Sequence, residues 1–177
     1  LRQVHRNIRS ANILLASTEG DEASSLKITG FGMAVSVQDR LVTSNGGTRE
    51  FSAPEVVSGK PHATTPDVWS IGLISYILLS GKHPFLEEAG KSFHRMAAGD
   101  CQFKREDWGN ISEEAKDFIQ RLLIADMDQR MTAAQAKNHP WLHASEQDLE
   151  ARDLGKNLQS FKVSNAKRKL RAATRMV

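Results

Sequence analysis

Asp67-Val68-Trp69-Ser70-Ile71-Gly72-Leu73-Ile74-Ser75-Tyr76-Ile77-Leu78-Leu79-Ser80-Gly81 is the stretch on which the fold turns. It is apolar on nearly every face of a helix. A helix of that kind sits at the centre of a domain, packed on several sides. Asp67 starts the run, and Gly81 after it has the residue type that ends helices at a left-handed cap. The run is interrupted by Gly72 and Ser75 and falls well short of the ~20 apolar residues a membrane span needs.

Outward from this helix the remaining elements are short. Toward the C-terminus, Ser112-Glu113-Glu114-Ala115 opens a second helix. Ser112 is placed to cap it, and the two acids favour its positive end. Ala115, Phe118, Ile119, Leu122 and Leu123 recur at helical spacing. Thr132 caps a shorter helix that ends before Pro140. Toward the N-terminus, Asn12–Ala16 and Leu26–Thr29 read as two short strands around a polar loop, close enough for a hairpin. Residues 30–55 have no periodicity and carry Gly30, Gly32, Gly46, Gly47 and Pro54, the pattern of a long functional loop. The expected fold class is mainly α, with a small β-hairpin near its start. No internal repeat or low-complexity segment interrupts the chain.

Composition sets the outer limits. The 177 residues suffice for one domain with a real core, and 25% charged with 40% hydrophobic residues excludes disordered and collagen-like classes. The single cysteine, Cys101, excludes an internal disulfide and points to a reducing compartment. It reads as an inert thiol, since no partner base accompanies it. His139 and His143 have a ligand-like spacing, but without further cysteines a zinc site is not expected. No signal peptide is visible, and the chain begins at Leu1, so it reads as a piece of something longer. Net charge is +3, yet the last 17 residues hold Lys162, Lys167, Arg168, Lys169, Arg171 and Arg175 with no acid, leaving residues 1–160 at −3. The expected division is a body over 1–143 and a basic tail over 144–177. One basic helix without interleaved aromatics is a poor nucleic-acid module.

The order of the short motifs is more specific than any one of them. His5-Arg6-Asn7-Ile8-Arg9-Ser10-Ala11-Asn12 resembles the catalytic loop H-R-D-x-K-x-x-N of protein kinases. Gly30-Phe31-Gly32 stands at the D-F-G position, and Gly47-Thr48 with Ala53-Pro54-Glu55 matches the end of an activation segment. Asp67-x-Trp69-Ser70-x-Gly72 matches the central-helix signature; Pro84-Phe85, Arg130 and His139-Pro140-Trp141-Leu142 complete the series. Residues 3–143 thus resemble the C-terminal lobe of a kinase of the calcium/calmodulin-dependent group, with the N-terminal lobe absent.

The resemblance assigns roles residue by residue. Asn7 holds the position of the catalytic base, where an amide has no useful basicity. Gly30 holds the position of the magnesium-binding aspartate and offers no ligand. Arg9 replaces the usual lysine, a change in shape as well as donor geometry. Asn12 is retained and could hold a metal only weakly. ATP binding is expected only with the missing N-terminal lobe, and magnesium binding is expected to be weak or absent. Thr48 matches a threonine that contacts the catalytic aspartate; the amide of Asn7 opposite it puts that contact at issue. Glu55 and Arg130 match a buried ion pair, and Asp67 a residue that braces the catalytic-loop backbone. Thr43, Ser44 and Thr48 are candidate phosphorylation sites, controlling docking more than catalysis in a lobe without a base.

The Gly-Phe-Gly form, the Trp108–Ser112 stretch and the Ser164–Leu170 tail are similar to the kinase-like domain of membrane-associated guanylate kinase scaffolds of the calcium/calmodulin-dependent serine protein kinase type. The chain departs from that family at Asn7, where it retains aspartate, and in the opposite sense at Asn12. Degenerate kinases of giant muscle-associated proteins are the other match. The resemblance implies a pseudokinase fragment acting in protein interaction or regulation, in the cytoplasm and at the inner face of the plasma membrane through scaffold partners. The alternative is a serine/threonine kinase with weak ATP-dependent phosphotransfer. For the tail it implies calmodulin capture, with Phe161, Val163, Lys167, Arg168, Lys169 and Leu170 as candidate contacts; a solvated helical end is the other reading.

Overall fold

The structure is a computed structural model that describes residues 3–16, 25–37, 41–43, 46–86, 92–144, 155, 157–163 and 166. Its helices are α1 (Pro54–Val57), α2 (Thr65–Ser80), α3 (Ser92–Ala97), α4 (Arg105–Trp108), α5 (Glu113–Leu122) and α6 (Ala133–Lys137). The strands are β1 (Gln3–Val4), β2 (Ile13–Ala16), β3 (Ser25–Ile28) and β4 (Val35–Ser36). The architecture is mainly α, as the sequence pattern predicts.

Helix α2 is the central element. It begins two residues before Asp67, because Pro66 fits the first turn, where a missing N–H costs nothing. Gly81 ends it in the left-handed conformation at φ 74°, its N–H bonded to the Ile77 carbonyl at 2.8 Å. Val68, Trp69, Leu73, Ile74 and Tyr76 are buried, each worth roughly 1.5–3 kcal/mol of transfer free energy where large and aliphatic or aromatic. Trp69 stacks on Phe85 with ring centroids 5.7 Å apart. Tyr76 and Phe103 both contact Trp108, and the Tyr76 hydroxyl donates to the Gln102 carbonyl at 2.7 Å.

Helix α5 lies across α2. Ala115, Phe118, Ile119 and Leu122 form its buried stripe, and the Ala115 N–H donates to the Ser112 hydroxyl oxygen at 3.2 Å. The two helices meet at Gly72. A Cβ there would stand 2.8 Å from Leu122 Cβ and 2.9 Å from Leu123 Cδ2, so only glycine allows this approach. Helix α6 starts with a reciprocal cap between Thr132 and Gln135.

The hairpin pairs β2 with β3 antiparallel, Ile13 opposite Ile28 and Leu15 opposite Leu26. A second two-stranded ladder, β1 with β4, pairs Val4 with Val35. This ladder was not legible, because two-residue strands carry no period. Residues 30–55 are accordingly not one irregular loop: they contain β4, α1 and 3-10 turns at Phe31–Met33 and Arg49–Phe51. Leu14, Leu26, Ile28, Phe31 and Met33 all stand exposed on the hairpin and the adjoining turn.

Residues 157–163 are helical and lie against the end of α2. Asn157 is buried and donates its amide to the Asp107 carbonyl at 2.8 Å. A Cβ on Gly81 would meet Ser160 and Phe161 backbone atoms at 2.6 Å.

Candidate functional site

Three segments converge at the first turn of α2: residues 5–12, the turn at 30–32 and residues 46–55. Asp67 is the hub. Its carboxylate accepts the His5 N–H at 2.6 Å and the Arg6 N–H at 2.9 Å. Burial pushes its pKa up from the usual value, against the lowering pull of those two backbone donors. Two amides converging on one carboxylate hold the backbone in a shape it would otherwise avoid. Arg6 sits at φ 66°, a conformation costing a non-glycine residue roughly 1–3 kcal/mol.

The His5 ring has both nitrogens engaged. Nδ1 accepts the Asn7 N–H at 3.2 Å, which leaves Nε2–H to donate to the Thr29 carbonyl at 2.9 Å. The ring also meets Phe31 edge-on, with centroids 4.7 Å apart. Through this one side chain the 5–12 loop is fixed to the 30–32 turn.

Within that frame Asn7, Asn12, Gly30 and Thr48 come together. The Thr48 hydroxyl donates to Asn7 Oδ1 at 3.1 Å, so an amide oxygen accepts the threonine contact. Asn12 Nδ2 donates to the Asn7 carbonyl at 2.8 Å. Gly30 is left-handed at φ 83°, and a Cβ on it would lie 2.6 Å from Asn12 Nδ2. The Asn12 amide therefore fills the space beside a residue that has no side chain. Arg9 is not drawn into this cluster by its Nε, which is buried without a partner among the described residues.

Glu55 and Arg130 form a separate buried unit. Arg130 Nη1 and Nη2 reach the two Glu55 carboxylate oxygens at 2.6 and 2.8 Å. The remaining guanidinium donors go to the carbonyls of Ile124, Thr65 and Ala125 at 2.9, 3.0 and 3.3 Å. All five donors are used, and the guanidinium lies over Trp69 at 5.0 Å. This pair ties α1 to the segment before α6.

The tail candidates stand elsewhere. Phe161 is half-buried and Val163 exposed, near Gly81 at the far end of α2, about 20 Å along the helix from Asp67. Lys167, Arg168, Lys169 and Leu170 lie outside the described residues, as does Ser44. Two participants were not singled out from sequence. Met33 accepts the Gly47 N–H on its sulfur at 3.1 Å, and His62 pairs its backbone with Val42. Neither carries a local signal, since both are single residues facing a distant segment.

Residues 2–142 match the protein kinase domain family. The chain belongs to the protein kinase family. A calcium/calmodulin-dependent protein kinase type 1 from Macrobrachium nipponense is 38% identical over 148 residues, covering 83% of this chain and 42% of that kinase. Myosin light chain kinase A from Dictyostelium discoideum is 39% identical over 147 residues, 82% of this chain and 49% of that kinase. The human calcium/calmodulin-dependent protein kinase type IV is 36% identical over 178 residues, 98% of this chain and 37% of that kinase. The chain thus spans less than half the length of these relatives. The kinase lobe is homologous to calmodulin-dependent kinases, and the family as a whole uses ATP and magnesium. No helix among the described residues of the lobe is long and apolar enough to cross a membrane.

Proposed function

We propose that this kinase lobe is catalytically degenerate and serves as a protein-interaction or regulatory module of a signalling scaffold. The observation that carries the reading is the lack of a carboxylate at both position 7 and position 30. Phosphoryl transfer needs a group that accepts the substrate hydroxyl proton and ligands that hold magnesium. An amide at Asn7 does not take up a proton near neutral pH. Magnesium is bound through carboxylates and substrate phosphates. Gly30 supplies nothing, and the Asn12 nitrogen is spent on the Asn7 carbonyl, which leaves its oxygen as a single neutral ligand. Among the described residues no three His, Cys, Asp or Glu side chains gather into a metal-holding group. This donor set does not fit a magnesium ion.

The competing reading, weak ATP-dependent serine/threonine phosphotransfer, draws on the retained loop geometry, with Thr48 still bonded to residue 7. Titration calorimetry of magnesium and ATP separates the two, run on the longest natural protein that carries this segment. No magnesium-dependent site is expected in the natural sequence, and a double substitution Asn7→Asp with Gly30→Asp creates one. Magnesium binding in the natural sequence, lost on Asn12→Ala, defeats the reading. The aspartate at 30 requires the Asn12 side chain to swing away from the Asn7 carbonyl and the backbone at 30 to leave, or bear the strain of, its positive φ of 83°.

The tail is read as the site of a regulatory protein partner, with calmodulin as the candidate. Support comes from the type IV relative, whose likeness runs through nearly the whole chain, tail included. The six unopposed cations after residue 160 and the apolar Phe161 and Val163 suit a basic amphipathic target. The division into a lobe over 1–143 and a tail over 144–177 belongs to the same proposal. So does a cytoplasmic location at the inner face of the plasma membrane, supported by the single cysteine and the likeness to membrane-associated scaffolds.

A further inference from the structure

Among the described residues Met33 is the one exposed methionine, at 42%. Met96 and Met131 are buried, and Met127 is half-buried. The exposed thioether also holds two segments together. Met33 Sδ accepts the Gly47 N–H at 3.1 Å, which joins the 3-10 turn at Phe31–Met33 to the 46–48 segment. The Met33 carbonyl accepts Arg6 Nη1 at 3.4 Å, so residue 33 reaches the 5–12 loop as well. Gly47 has no room to move toward that loop: its φ is 90°, and a Cβ on it would run into the Arg6 carbonyl. The next residue, Thr48, donates its hydroxyl to Asn7 Oδ1 at 3.1 Å. A solvent-facing sulfur therefore stands one residue away from the contact between Thr48 and Asn7.

A thioether is a weak hydrogen-bond acceptor and an oxidisable one. We infer that Met33 is an oxidation switch: a hydroperoxide converts it to the sulfoxide, and the 46–48 segment is released from the 31–33 turn. With hydrogen peroxide, a sulfur lone pair attacks one peroxide oxygen. The S–O bond forms and the O–O bond breaks, its electron pair leaving with the other oxygen as hydroxide. The proton of the transferred oxygen passes to that hydroxide, which departs as water. Sulfur is oxidised by two electrons and the peroxide is reduced by two. An oxygen added at the lone pair facing Gly47 takes the place of the N–H. An oxygen added at the other lone pair draws charge from sulfur and weakens the acceptor. Either epimer turns a slim apolar contact into a bulkier polar group, and each has a reductase that reverses it. The switch acts on the position of the 46–48 segment whether or not phosphate is transferred, so it goes beyond the interaction-module reading and does not rest on it.

The test is amide hydrogen exchange, followed by NMR on the isotope-labelled 177-residue chain before and after dilute hydrogen peroxide. Peptide mass spectrometry locates the added oxygen. Met33 is expected to gain it before the buried Met96 and Met131. The Gly47 amide is then expected to exchange roughly two- to tenfold faster, the loss of one ordinary hydrogen bond. The amides of α5 are expected to keep their rates, which separates local release from general loosening. Methionine sulfoxide reductases should restore the original Gly47 rate. Met33→Leu keeps the bulk and lacks the acceptor, so its Gly47 amide should exchange fast from the start and ignore peroxide. The oxidised natural chain carries the test by itself, and the variant assigns the effect to residue 33. Four results overturn the inference: oxidation of Met33 no earlier than Met96 and Met131, an unchanged Gly47 rate in the oxidised chain, an equal rise throughout α5, or a Met33→Leu chain whose Gly47 amide is slow or still responds to peroxide.

Discussion

Removing one partner of the Glu55–Arg130 pair should be among the most costly single changes in the lobe. Both side chains are buried, with the guanidinium wholly excluded from solvent. In Glu55→Gln the guanidinium stays charged and buried while its counter-charge is gone. Breaking a buried pair on one side costs about 3–5 kcal/mol. For a chain of this size each kcal/mol moves the melting temperature by about 2–4 °C. The expected drop is therefore roughly 6–20 °C, read by circular dichroism at 222 nm alongside urea unfolding. The double change Glu55→Met with Arg130→Met removes both charges. It should cost less than the two single changes together, because neither charge is left unpaired. The three carbonyls that Arg130 satisfies lose their donor in the double variant, so it is not expected to be neutral. A single-variant loss below about 1 kcal/mol, or strict additivity in the cycle, refutes the reasoning.

Other outcomes follow from particular contacts. Burial pushes the Cys101 thiol up to about 12, with Arg95 pulling it down and Asp100 adding a smaller upward push. Iodoacetamide at neutral pH should label it on the order of a thousandfold more slowly in the folded chain than in urea; equal rates contradict this. Burial also lowers the His83 pKa below its ordinary 6.5. The folded chain thus prefers the neutral ring, so His83 contributes stability above about 6.5 that is lost as pH falls toward the folded value. Protonation at Nδ1 also removes the acceptor of the Phe85 N–H. Melting temperature should fall below pH 6.5, with a shallower slope in His83→Gln; an unchanged slope counts against the assignment. Gly72→Ala gains about 1 kcal/mol of helix propensity but forces α2 from α5, costing about 1–3 kcal/mol. Net destabilisation is expected in urea melts, and a more stable variant contradicts the close approach.

Much of the helical scaffold was legible because its signals are local. The Ser112 and Thr132 caps and the Ala115, Phe118, Ile119, Leu122 stripe each lie within a few residues of their partners. The apolar α2 run was legible as a central helix, yet Ile71 and Leu78 stand exposed on it. Apolarity on all sides says that a helix is central, not that each residue is covered. The β1–β4 ladder was invisible, since Val4 and Val35 lie 31 positions apart and each strand has two residues. The site divides in the same way. Residue types at 7, 12, 30 and 48 could be read directly. Their geometry could not: the Asn12 amide turns onto the Asn7 carbonyl five residues away, and the positive φ of Arg6 is held by Asp67 across some 60 residues.

The most direct test is phosphotransfer from labelled ATP by the longest natural protein that carries this segment, with magnesium and with chelator. The natural sequence should stay at the background of the chelated control, and Asn7→Asp with Gly30→Asp should raise transfer above it. Magnesium-dependent transfer by the natural sequence, abolished by Asn12→Ala, would contradict the account.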